Sequence, residues 1–300
     1  MAAISQAQEG TQALVATGKQ PVRPTINPWH VALYAILVFY GVFSLAPFVF
    51  SLISSFKTYA DILTWPPSII PPHGFTLSSY NTIFTGIGTL FPRYILNSLI
   101  YAIGAAALNV LLGAMAGYAF GRMEFPGKNI LFALTLAVLM IPGALIMIPK
   151  FLVAYDLHLT NTYFALLIPA AVGPTSVFLM TQFLKTLPRE LEESAMIDGA
   201  GAFRTFFQVI LPLTRPALTA VALFAFQGAW NDFFWPLLVM SSNQMYTLTV
   251  GLAFFKSQYY TQYNLLLAGA IVNIVPLVIL FFIFQRYFIS GISTSGLAGR

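Results

Sequence analysis

Residues able to do chemistry are few in this 300-residue chain, and they gather in two places. The first is residues 187–212, LPRELEESAMIDGAGAFRTFFQVILP. It holds Glu190, Glu192, Glu193 and Asp198, four of the nine acidic residues, between Arg189 and Arg204. The second is residues 227–236, where Asn231 and Asp232 stand among Trp230, Phe233, Phe234 and Trp235. A carboxylate and an amide bind hydroxyls, and aromatic faces cover the apolar faces of a sugar ring. The same residues also suit hydrogen bonds between helices within an aromatic belt, and both readings stay open here. An ionisable group inside an apolar run is costly and normally faces water or a partner.

Other chemistry is excluded or unsupported. With no cysteine, disulfides and Cys-based metal sites are ruled out. His30, His73 and His158 lack metal-ligand spacing and read as loop or interfacial residues. No glycine-rich nucleotide loop is present: Lys19 and Lys128 follow glycines but lack the upstream glycine and the following Ser or Thr. No paired carboxylates lie in a plausible catalytic pocket. The chain therefore reads as having no catalytic residues, no metal and no bound cofactor, and any ATP hydrolysis belongs to another chain.

The elements that position these residues follow from composition. Apolar residues make up 58% and charged residues only 8%, far from soluble-domain composition. The expectation is an all-α, polytopic membrane helix bundle. The excess of five positive charges is then a matter of loop placement and not a nucleic-acid signature. A bilayer core needs about 20 apolar residues per helix. Six stretches qualify, at 30–54, 94–120, 129–153, 162–184, 213–240 and 264–287. With the N-terminus cytoplasmic, Lys19, Arg23, Arg122, Lys128, Lys185, Arg189, Arg204, Arg215, Arg286 and Arg300 face inside, against Lys57, Arg93, Lys150 and Lys256 outside. That bias of ten to four puts both termini and residues 187–212 in the cytoplasm. Residues 1–28 read as a disordered cytoplasmic tail, 29–290 as a six-span permease domain and 291–300 as a cytoplasmic C-terminal tail.

Within residues 187–212 the local physics predicts two short helices with a break. Pro188 suits a first helical position, and the glutamates fall in the opening turns, where the helix dipole favours negative charge. Gly199 suits the left-handed conformation that ends a helix, and residues 203–210 form a second segment. On a membrane protein this is either a docking element or a solvated connector. Pro142-Gly143, Pro149, Pro169, Gly173-Pro174, Pro216, Pro236 and Pro276 interrupt or flank the spans, and the backbone groups they free need protein or water partners. Gly104, Gly113 and Gly117, with intervening alanines, make a small-residue face for packing within the bundle or against a second permease. The turn at residues 121–128 is a tight link with no evident separate role. The aromatic-rich outer loop at 241–262 reads as interfacial anchoring or as a contact for a delivered ligand.

One stretch carries a resemblance. Glu193-Ser194-Ala195, three residues, Gly199, nine residues and Val209-Ile210-Leu211-Pro212 resemble the EAA loop of ABC-importer permeases, Glu-Ala-Ala, three residues, Gly, nine residues, Ile-x-Leu-Pro. The departures are Ser194 for Ala and Val209 for Ile. Residues 195–200, AMIDGA, are similar to the carbohydrate-uptake branch, the maltose type of binding-protein-dependent inner-membrane subunit, and the likeness runs from about residue 30 onward. It implies a permease moving a di- or oligosaccharide across a bacterial or archaeal cytoplasmic membrane by alternating access. It further implies a second related permease in a heterodimer, two ATP-binding subunits holding ATP and Mg, and an extracytoplasmic solute-binding protein. Residues 186–212 become the cytoplasmic coupling-helix loop. Arg189, Glu190, Glu193, Ser194, Ala195, Asp198 and Gly199 become ATPase-coupling residues, and Trp230, Asn231, Asp232 and Phe233 candidates for the substrate path. The competing reading is a stand-alone secondary transporter or channel that uses Asp232 as an ion-coupling site.

Overall fold

The computed structural model describes residues 28–86, 88–256 and 261–295, with side chains through Gln285. Apart from Pro28, the expected N-terminal tail lies outside these residues, as do Tyr259, Tyr260 and residues 296–300. The chain divides into two compact units, Met1–Phe50 and Ser51–Arg300. The first holds most of α1 (Pro28–Ser54), an apolar helix with Pro47 inside it. Apolarity on every face suits a helix surrounded by lipid or protein.

Among its described residues, the second unit's elements are helices. Its main helices are α2 (Phe91–Arg122), α3 (Lys128–Ala137), α4 (Gly143–Asp156), α5 (Tyr163–Leu167), α6 (Pro174–Thr186), α7 (Glu190–Ile197), α8 (Arg215–Asn231), α9 (Phe234–Val239), α10 (Leu248–Ala253) and α11 (Tyr263–Ser295). Among the described residues the β-type pairing is confined to one isolated bridge, Lys256 with Thr261.

The unit is built on α2, an unbroken helix of 32 residues along which α6 and α8 pack. Gly113, Gly117 and Gly121 recur every fourth residue on its α6 face. A Cβ on Gly117 would lie 2.4 Å from the Met180 Cβ and 3.1 Å from backbone atoms of Met180 and Thr181. At Gly113 it would lie 3.0 Å from the Ser176 Cβ. Only glycine lets the two backbones come this close, and in lipid such packing, not removal from water, holds helices together. The small-residue face therefore works within this chain.

Among the described residues the expected spans are not all single helices. Three helices, Trp29–Ser54, Phe91–Arg122 and Tyr263–Gln285, are long and apolar enough to cross a membrane singly. Two pairs add to them if each counts as one bent span: Lys128–Met140 with Gly143–Asp156, bent by 107°, and Ala202–Leu213 with Arg215–Asn231, bent by 81°. The stretch expected as a fourth span is two helices, α5 and α6, separated by residues 168–173. Pro169 and Pro174 supply no backbone N–H there, so the hydrogen-bond ladder cannot run through.

Asn109, midway along α2, takes up what the break releases. Its Nδ2 donates to Ala170 O at 2.6 Å and to Ala105 O at 2.9 Å. Its Oδ1 accepts from Gly173 N at 2.9 Å and from the Ser176 hydroxyl at 2.8 Å. A break at membrane depth survives only with such partners. Pro149 and Pro276, by contrast, sit inside α4 and α11 without ending them, and α11 runs on to Ser295, into the expected C-terminal tail.

Two apolar cores flank this polar contact. Phe91, Tyr101, Leu166, Trp230, Trp235 and Leu248 belong to one. Ala114, Met180, Leu184, Phe206, Ile210 and Val221 belong to the other, next to the helix ends that carry residues 187–212.

Candidate functional site

Residues 187–212 fold as two helical pieces around a glycine. Arg189 stands at the N-terminus of α7, its carbonyl accepting from Glu192 N at 2.9 Å and Glu193 N at 3.1 Å. Glu190, Glu192 and Glu193 occupy the first turn, where unpaired N–H groups and the dipole favour carboxylates. Asp198 closes the helix, and Gly199 follows at φ +78°. Gly199 N donates to Met196 O at 3.0 Å and Ala200 N to Ala195 O at 2.9 Å, the two bonds of a Schellman ending. Nothing would lie within 4 Å of a Cβ at Gly199. The glycine is required by backbone conformation and not by crowding.

The chain then re-enters a helix at Ala202–Arg204, widens into a π-turn over Thr205–Ile210 and closes with Leu211–Leu213. A π-turn inside an apolar helix is an uncommon feature often found at functional positions.

Burial sorts the predicted coupling residues. Ala195 is buried and Leu191 half-buried, whereas Arg189, Glu190, Glu193, Ser194, Asp198 and Gly199 are exposed. Exposed apolar side chains accompany them: Ile197 is 87% exposed and Phe203 76%. The surface is therefore acidic at the start of α7 and apolar at its end.

Glu192 is the exception among the glutamates. It turns inward to Arg122, the last residue of α2, with Nε 3.4 Å from Oε1. Arg122 Nη2 also donates to Leu187 O at 2.7 Å and Pro188 O at 3.3 Å. Tyr118, one turn earlier on α2, stands near Glu192 and rests its ring on Phe206 at 5.0 Å. The end of α2 thus grips both pieces of the segment. Sequence reasoning gave the turn at 121–128 no role. The available signal was a single arginine closing a long apolar helix beside a glycine.

The second candidate cluster is at the break between α8 and α9. Asp232 accepts from the Tyr101 hydroxyl at 3.0 Å and from Trp235 N at 3.4 Å, and its own carbonyl accepts from the Thr249 hydroxyl at 2.7 Å. Lys150, on α4, holds its ammonium 3.7 Å from the centre of the Trp235 ring and within electrostatic reach of Asp232. Asn231 is exposed and Phe233 half-buried. Trp230 is fully buried, stacked on Phe226 at 5.7 Å, with its indole N–H donating to Asn273 O at 3.0 Å. Of the four path candidates, Trp230 is a core residue of this chain, which leaves Asn231, Asp232 and Phe233 at a surface. Tyr101 and Lys150 were not legible as members of this cluster, because the fold brings them from distant positions.

The same end of the bundle is tied by Asn97, whose Nδ2 donates to Gln244 O at 2.8 Å and Tyr246 O at 2.9 Å while its Oδ1 accepts from the Tyr163 hydroxyl at 2.7 Å. Ser98 Oγ accepts from Leu248 N at 2.8 Å. The amides Asn97 and Asn109 are thus structural partners of backbone groups.

Comparison with known proteins agrees with this architecture. The family model described as binding-protein-dependent transport system inner membrane component matches residues 109–294. The arabinooligosaccharides transport system permease protein AraQ of Halalkalibacterium halodurans is 39% identical over 283 residues, covering 94% of this chain and all of the relative. The diacetylchitobiose uptake system permease protein NgcG of Streptomyces coelicolor is 35% identical over 264 residues, covering 87% of this chain and 86% of the relative. The crystal structure of a bacterial ABC transporter involved in the import of the acidic polysaccharide alginate contains a chain that superposes with a TM-score of 0.78, covering 90% of this chain and 100% of that one at 21% identity, which speaks to the fold. This chain is a membrane-embedded, non-enzymatic transport subunit, and it belongs to the family of binding-protein-dependent transport system inner membrane components.

Proposed function

We propose that this permease carries an oligosaccharide inward by alternating access, and that residues 187–212 couple it to the ATPase. One observation carries the coupling reading: α7 ends in a glycine-closed turn and presents Glu190, Glu193 and Ile197 outward while Ala195 and Glu192 anchor it. A short rigid helix held from behind and free in front is a lever with a docking face. Its acidic first turn suits a basic socket, and Ile197 and Phe203 suit an apolar one. Arg189, Ser194, Asp198 and Gly199 complete the same face or its ending.

The substrate class rests on the relatives, whose names refer to arabinooligosaccharides and diacetylchitobiose. Asn231, Asp232 and Phe233 are the proposed path residues. The arrangement of subunits proposed here is a heterodimer with a second related permease, two ATPase subunits that bind ATP and Mg, and an external solute-binding protein. The proposed topology counts α5 and α6 as one interrupted span, which makes six, with both termini and residues 187–212 cytoplasmic. The domain limits proposed with it are a tail at 1–28, the permease at 29–290 and a tail at 291–300 whose first residues continue α11 to Ser295. Family membership removes the motive for a stand-alone ion-coupled transporter.

The test is a gentle-detergent purification of the tagged chain from its native membranes, with mass spectrometry of what accompanies it. An ATPase subunit and a second permease are expected, the ATPase being lost with Glu193→Lys. Recovery of the chain alone, from membranes competent for uptake, would overturn the coupling reading.

A further inference from the structure

Residues 187–212 meet the bundle at its inner core, but the charged contact is narrow. It consists of Arg122 with Glu192, both with side chains largely withdrawn from solvent, 4% and 12% exposed. The geometry is unfinished. The 3.4 Å separation of Nε and Oε1 exceeds the roughly 2.7–2.9 Å of a closed charge-assisted bond. Neither atom has another hydrogen-bond partner among the described residues. Arg122 Nη2 is bonded to Leu187 O and Pro188 O, but Nε and Oε1 are left short of closure, and a buried charged atom without its bond is costly. A small displacement of α7 toward α2 closes the contact, and a displacement away opens it. That difference between two positions of α7 is the differential contact that a two-state device requires.

What lies behind Arg122 makes the contact consequential. Arg122 is the last residue of α2, which runs without a break for 32 residues, about 48 Å at 1.5 Å per residue. Along that rod lie Asn109, which holds the break between α5 and α6, Tyr101, which holds Asp232, and Asn97, which ties the loop at 244–246. A push at Arg122 is delivered to each of these. The rear of α7 offers no comparable charged path: Leu191 and Ala195 make apolar contact only, which can slide.

We propose that Arg122 and Glu192 are positioning residues for transport, a pair that tightens or loosens with α7 and so passes its movement into α2. This rests on the reading of residues 187–212 as the ATPase-facing element.

This chain has no cysteine of its own, so two labels can be placed in it once any accessible cysteines of the other subunits are replaced. Met115→Cys on α2 and Val278→Cys on α11 carry spin labels in the complete importer. Their distance is measured in nucleotide-free membranes and after trapping with ATP and vanadate. The expected result is a shift on trapping that Glu192→Gln abolishes although the ATPase is recovered at the parental level. Arg122→Met should do the same, and the double variant should lose no more than either alone, as for two residues acting as one unit. Glu192→Gln keeps size and hydrogen-bonding capacity, so it remains informative if Arg122→Met fails to assemble. Normal ATPase recovery with the parental shift retained in Glu192→Gln overturns the proposal alone. ATPase recovery that is indifferent to Glu193→Lys overturns the ATPase-facing reading, and this proposal with it.

Discussion

Tyr101 donates its hydroxyl to Asp232 across 3.0 Å, joining the middle of α2 to the point where α8 stops and α9 begins. Asp232 is therefore held by the fold before it meets any substrate. A carboxylate already in use for structure can also serve a pathway, and the two uses respond differently to substitution.

Tyr101 and Trp235 bond different oxygens of Asp232, so Asp232→Asn keeps the oxygen for Trp235 N and turns its new NH2 toward the Tyr101 oxygen, which can accept; thermal unfolding in detergent should stay near parental. Uptake should fall, since the charge is gone. Asp232→Ala should lower both, because it strands a buried hydroxyl and a backbone N–H at about 1–3 kcal/mol each. Equal uptake by Asp232→Asn and the parent would remove the path role and leave the structural one.

Gly199 tests conformation apart from space. Its φ of +78° disfavours any side chain, while nothing crowds its Cβ position. Gly199→Val should cost about 1–2 kcal/mol locally, the left-handed penalty for an L-residue, and should lower uptake relative to ATP hydrolysed. Gly199→Asn, which tolerates that conformation, should retain more. The readout is the ratio of substrate accumulated to phosphate released, and identical ratios for Val and Asn would argue against a conformational requirement.

Gly117 tests space. With 2.4 Å to the Met180 Cβ, Gly117→Ala cannot fit without separating α2 from α6, and overpacking of this kind costs about 1–3 kcal/mol. Gly143→Ala meets nothing within 4 Å and is the matched control. The expected outcome is a lowered unfolding temperature for the first and not the second.

Asn109→Leu should be the most damaging of these substitutions to stability. It orphans Ala170 O, Gly173 N and the Ser176 hydroxyl at once. Each buried unpaired group costs about 1–3 kcal/mol. Asn109→Asp keeps the acceptor and loses the donor, so it should fall between Leu and the parent in thermal unfolding.

The loop at residues 58–76 should respond to acid. The Asp61 carboxyl lies below its ordinary value of 3.8, first because His73 Nδ1 hydrogen-bonds it at 2.7 Å, with the Thr58 hydroxyl at 2.8 Å adding to the effect and burial opposing it. A depressed carboxyl stabilises the loop above its unfolded pKa, and that contribution disappears as pH falls below about 4 and through the folded value. Limited proteolysis of residues 58–76 should therefore accelerate below pH 4, and Asp61→Asn should abolish the acid-dependent part. A parental digestion rate flat across that range would contradict this.

Much of this protein was readable from the chain itself. Apolar runs of spanning length mark a membrane helix bundle, because in lipid an unbroken apolar segment of that length satisfies its backbone within itself only as a helix. The glutamates after Pro188 and the glycine ten residues after Arg189 mark the start and end of α7, because dipole and left-handed backbone are local effects. Prolines and glycines in the sequence marked where spans could interrupt, and only the tertiary structure decided which of them do and what holds the interruptions. The expected fourth span splits at its prolines, and Asn109, some sixty residues away in sequence, satisfies the backbone groups the break frees. It also decided that Gly113 and Gly117 face α6, that Trp230 is core, that Tyr101 and Lys150 attend Asp232, and that, of the glutamates of α7, Glu192 turns back to Arg122. These are contacts between distant residues. Periodicity shows that a side chain is apolar or charged, but burial and partner choice depend on which helices the fold sets side by side.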